Sequence, residues 1–137
     1  MMESIEKDLI LKEIPLFAGL SEQEHNIIKE RCAIAEFRKG QVIYREATPP
    51  DAFYCVILGR VVIYTQGKEQ NKVILEYLHR GKYFWIISLL TGESHSLSAE
   101  AINDTSLLVI KENDFNFLLK KIPKLAIDLS QTLSRRL

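Results

Sequence analysis

The chain has 137 residues, of which 47% are hydrophobic and 26% charged, and its 18 basic residues are balanced by 18 acidic ones. That length suits one domain able to bury about two-thirds of its unfolded surface, and the composition excludes a disordered tail. The zero net charge excludes counterion-driven, sequence-independent binding of nucleic acid, and no apolar run approaches the roughly 20 residues that a membrane span needs.

The N-terminus, MMESIEKDLI, is acidic and amphipathic and lacks a cleavable signal pattern. Ser4 is expected to cap a short helix carrying Ile5, Leu9 and Ile10, which Pro15 ends because proline disfavours helical geometry in the residue before it. In LSEQEHNIIKERC, Ser21 and Glu24 have the spacing of a capping box, and Ile27, Ile28 and Cys32 follow as an apolar stripe. His25 and His79 are expected at the surface. Cys32 and Cys55 lie far apart and outside any CxxC, so reduced thiols and a cytoplasmic location are expected.

From Glu36 the hydrophobic period changes from 3.6 to 2. FRKGQVIYRE, AFYCVILGRVVIYT, KVILEYL and SLLVIKE are rich in β-branched and aromatic residues, punctuated by Gly40, TPPD, Gly59, TQGKEQ and the Asn103-Asp104 turn. Short strands at such close spacing predict a barrel or roll, not a βαβ sheet. The helical period then returns. Asn113 or Asp114 is expected to cap a helix through Phe115, Leu118, Leu119 and Ile122, and Pro123 fits the first turn of a last helix. That helix carries Leu125, Leu129, Leu133 and Leu137, and it reaches SRRL with no C-terminal cap, so it either frays or continues in a longer chain. The predicted organisation is a single domain over 1–137: helices over 4–35, a β-roll over 36–112 and C-terminal helices over 113–137.

Several of these stretches carry a specific pattern: IPLFAGLSEQE, FRKGQVIYREATPPDAFYCVILGRVVIY, GKYFWIISLLTGESHS, AEAINDTSLLVIKENDF and KIPKLAIDLSQTLSRRL. Together they resemble, nearly end to end, the cyclic-nucleotide-binding domain family, the sensor module of catabolite-activator-type regulators, kinase regulatory subunits and gated channels. The resemblance implies a mainly β fold with flanking helices, a jelly-roll-like β-roll (double-stranded β-helix) between N-terminal and C-terminal α-helices, with helices that shift when ligand binds. It also implies one phosphate-binding cassette within 81–96. In such a cassette a glycine lets the backbone close on the phosphate, and amides at a short helix start face the anion. A glutamate accepts from the ribose 2′-hydroxyl, while an arginine and a neighbouring Ser or Thr donate to the exocyclic oxygens.

In this chain the glycine position holds Trp85, the glutamate position Ile86 and the arginine position His95, while Ser96 is retained. Ser94 stands where proline is common, and Ala47 where the first hairpin has glycine. The resemblance further places Ile87, Ser88 and Leu97 in the cassette, and Leu75 before it, among ligand-facing positions. Losing the arginine fork and the ribose acceptor together costs about 3–6 kcal/mol, or roughly 10²–10⁴ in affinity. An unperturbed imidazole, with a pKa of about 6.5, is mostly neutral at pH 7 and restores little of this.

Trp85 reads as a plain core or surface aromatic, or as a plug or stacking platform in the pocket. His95 reads as a solvated loop residue or as an anion contact. No HExxH, CxxC pair or carboxylate cluster marks a metal site, and Ser88 and Ser96 lie in no nucleophile motif. The chain is therefore expected not to be an enzyme and to hold no resident cofactor. Its expected occupant is a small molecule, either weakly bound cyclic AMP or cyclic GMP or another small anionic or aromatic ligand. A structural or dimerisation module without ligand is the alternative. The leucine ladder fits either a helix packed on its own roll or a homodimer seam. Activator-type relatives read DNA with a helix-turn-helix beyond this point, so no nucleic acid is expected to bind residues 1–137 alone.

Overall fold

A computed structural model of the chain describes residues 2–49, 51–67, 71–84 and 97–136. Among them three helices come first: α1 (Met2–Glu13), α2 (Pro15–Ala18) and α3 (Glu22–Lys29). Eight strands follow: β1 (Ala33–Phe37), β2 (Val42–Tyr44), β3 (Ala52–Leu58), β4 (Val61–Gln66), β5 (Lys72–Leu78), β6 (Tyr83–Phe84), β7 (Ser98–Ala101) and β8 (Thr105–Lys111). Helices α4 (Glu112–Lys121) and α5 (Pro123–Arg136) complete the order. The strands form two antiparallel sheets, β1-β8-β3-β6 and β2-β7-β4-β5, and the architecture is the mainly β roll with flanking helices that the sequence predicts.

Period-2 alternation on β3 explains how the layers stack. Ala52, Tyr54 and Val56 turn inward and join Tyr44, Val61, Ile63, Leu78, Phe84, Ala99 and Leu107 in a core between the sheets. Phe53, Cys55 and Ile57 turn outward and join Leu11, Phe17, Ile28, Phe115, Leu118, Ile122 and Leu125 beneath the helices. Strand β8 divides in the same way, with Leu107 on the inner side and Leu108 and Ile110 on the helical side. The first sheet is thus buried on both faces. Burial of each large side chain removes apolar surface worth about 1.5–3 kcal/mol.

Local signals fix the helix ends. The Ser21 side chain accepts from the Glu24 amide at 3.1 Å and the Glu24 carboxylate accepts from the Ser21 amide at 2.9 Å, so the capping box is complete. Elsewhere the ends differ from expectation. Helix α1 begins at Met2, which leaves Ser4 inside it, and Pro15 opens the short α2 at its first turn instead of only ending α1. Lys111 stands at the start of α4 with no side-chain cap, while Asp114 pairs with Arg31 at 2.9 Å. The β segment starts at Ala33, three residues before the change of period at Glu36. His25 is buried at 3% exposure, and its Nε2 lies 2.6 Å from the Phe17 carbonyl. A surface place for it is therefore wrong, because it shares a helical face with the buried Ile28. His79 is exposed.

Two turns show contrasting backbone chemistry. Gly59 has φ 89°, and a Cβ there would come within 2.5 Å of the Asp104 carbonyl, so the β3–β4 turn admits no side chain. Ala47 has φ 70° and occupies the left-handed region with a side chain, at the position where the resemblance has glycine.

Candidate functional site

The described residues on either side of the cassette segment contact the roll interior. Strand β6 precedes that segment and pairs with β3: Tyr54 with Phe84 and Cys55 with Tyr83. Just upstream, the Gly81 amide donates to the Val56 carbonyl at 2.8 Å and the Val56 amide donates to the Lys82 carbonyl at 2.9 Å. Alternation sends Tyr83 toward the helices, 5.7 Å from the Phe53 ring, and Phe84 inward. Phe84 stacks on Tyr54 at 5.3 Å and meets Tyr44 at 6.1 Å. Beyond the cassette, Leu97 packs against the same inner core. Phe84 and Leu97, which border the cassette segment in sequence, thus both contact the inner core.

Around this point a polar frame holds the β2–β3 connection, which joins strands of different sheets. The Glu46 carboxylate accepts from the Gln66 amide at 3.0 Å and from the Thr65 hydroxyl at 3.2 Å. The Glu46 amide donates to Ser98 Oγ at 2.9 Å, tying the connection to the start of β7. The Tyr54 hydroxyl donates to both Asp51 carboxylate oxygens at 3.1 Å. Burial pushes the Tyr54 and Tyr44 phenols well above the usual tyrosine range, and the Asp51 charge adds to both shifts. Lys72, on the adjoining hairpin, pairs with Glu100 at 3.0 Å and lies 4.7 Å from the Tyr64 ring centre.

Of the residues singled out in the sequence, Trp85, Ile86, Ile87, Ser88, His95 and Ser96 lie outside the described residues. Leu97 is partly buried at the rim of the inner core. Leu75 is 55% exposed and sits where the β4–β5 register shifts between Ile63 and Tyr64. In the leucine ladder, Leu125 and Leu129 are buried in the chain's own helical core at 0% and 2% exposure. Those two side chains are therefore unavailable to a dimer seam, because they pack beside Phe17, Ile28 and Phe115. Leu133 lies on the last turns of α5 and Leu137 is outside the described residues. Sequence reasoning did not single out Glu46 and Asp51, the two carboxylates hydrogen-bonded in the β2–β3 connection. Their only signal was their place on either side of the TPP turn. Among the described residues, no three of His, Cys, Asp and Glu converge as a metal ligand set, and no helix is long and apolar enough to cross a membrane.

Two stacked antiparallel sheets, flanked by helices from both chain ends, define a β-roll. The chain belongs to the cyclic nucleotide-binding domain family, whose model, described as "Cyclic nucleotide-binding domain", matches residues 34–122. It is 30% identical over 127 residues to the cyclic AMP receptor protein of Thermus thermophilus, covering 93% of this chain and 59% of that protein. It is 27% identical over 126 residues to a cAMP-dependent protein kinase regulatory subunit of Dictyostelium discoideum, covering 90% of this chain and 37% of that one. The fold superposes with a TM-score of 0.86 on the sensor domain of the transcriptional regulator DNR from Pseudomonas aeruginosa, at 24% identity, covering 99% of this chain and 91% of that one. The chain thus spans well under two-thirds of the two sequence relatives.

Proposed function

We propose that this chain is a non-enzymatic regulatory sensor domain whose cassette binds cyclic AMP and cyclic GMP weakly or not at all. The observation that carries the reading is a mismatch. The roll, its inner aromatic core and its Glu46–Thr65–Ser98 frame are complete, yet the cassette sequence has Trp85, Ile86 and His95 at the three positions that would do the phosphate and ribose chemistry. A cytoplasmic setting and an effector segment elsewhere in a longer protein belong to the same proposal. So does the absence of nucleic-acid recognition by residues 1–137 alone.

The alternative is a module that keeps the fold without a ligand and pairs through α5. The burial of Leu125 and Leu129 weighs against it, since a seam on α5 would have to use other residues, of which Ile127 is 56% exposed.

Calorimetric titration with cyclic AMP and cyclic GMP tests the main reading, with dissociation constants above the micromolar range expected. The triple variant Trp85→Gly, Ile86→Glu, His95→Arg is expected to gain roughly 10²–10⁴ in affinity for cyclic AMP. Tight binding by the unaltered chain, or no gain in the variant, would contradict the proposal.

A further inference from the structure

We draw no further inference here: the strongest candidate, the patch of half-exposed apolar side chains Val73, Ile74, Leu75 and Tyr77 on β5 at the end of its sheet, carries none because nothing in the structure shows what covers it.

Discussion

At the residue scale, Ala47 and Gly59 make opposite demands on the same backbone region. Ala47 bears a Cβ at φ 70°, which costs an alanine about 1–2 kcal/mol, while glycine loses part of that advantage through its greater freedom when unfolded. Ala47→Gly is therefore expected to stabilise the fold by about 0.5–1 kcal/mol, raising the melting temperature by roughly 2–4 °C. Gly59→Ala meets both a left-handed φ and the Asp104 and Thr105 backbone, and is expected to destabilise by about 3 kcal/mol. Thermal melts of the two variants measure both signs. The alanine at 47 was legible as a departure from a pattern, but its strain was not, because φ depends on a turn whose preceding residue, Glu46, is held by Thr65, Gln66 and Ser98 from distant strands. His25 shows the converse. Its helical spacing to Ile28 and Cys32 was visible in the sequence, and its polarity hid the burial that the Phe17 carbonyl makes tolerable.

The ends of elements proved less readable than their interiors. Strand β5 carries the bounds that its β-branched run predicts, since TQGKEQ closes one side and the turn before Gly81 the other. Strands β6 and β7 are short, two and four residues, too brief for alternation to reveal them; pairing with β3 and β4 specifies them instead. Helix α5 was visible as a leucine ladder, but spacing alone does not say what a ladder packs against. The Lys124 ammonium donates to the Gly19 carbonyl at 2.8 Å, orienting α5 so that Leu125 and Leu129 enter the core with Phe17 and Phe115. Leu125→Ala is expected to cost about 2–5 kcal/mol, seen as a lower denaturant midpoint, without altering the sedimentation coefficient of the folded chain. A variant that stays stable yet changes assembly would instead place Leu125 in an interface.

For the molecule as a whole, the fold was legible because both periods and the turn residues agree along most of its length. The chemistry of the site was legible only as substitutions at family positions, and its electrostatic setting required the packed roll. That setting includes three ionisable groups on or beside one strand. Burial pushes the Cys55 thiol up to about 12 and drives the Tyr44 and Tyr54 phenols higher still. Below about pH 7.5 these groups are neutral in both folded and unfolded chains and cost nothing. As pH rises further, the unfolded chain ionises first while the folded one resists, so stability falls by about 1.4 kcal/mol per pH unit for each group. Denaturation midpoints are expected to be flat up to about pH 7.5, to fall gently from about pH 8 as the unfolded thiol ionises, and to drop steeply between roughly 9.5 and 11, where the unfolded phenols ionise too. Cys55→Ala is expected to remove the earliest part of that drop. Strand β3 adds a constraint on how this sequence can vary in length. Its odd and even positions feed two separate hydrophobic interiors, so inserting or deleting one residue within Ala52–Leu58 would exchange their contents, sending Phe53 between the sheets and Tyr54 under the helices. That makes this heptapeptide intolerant of a change in length.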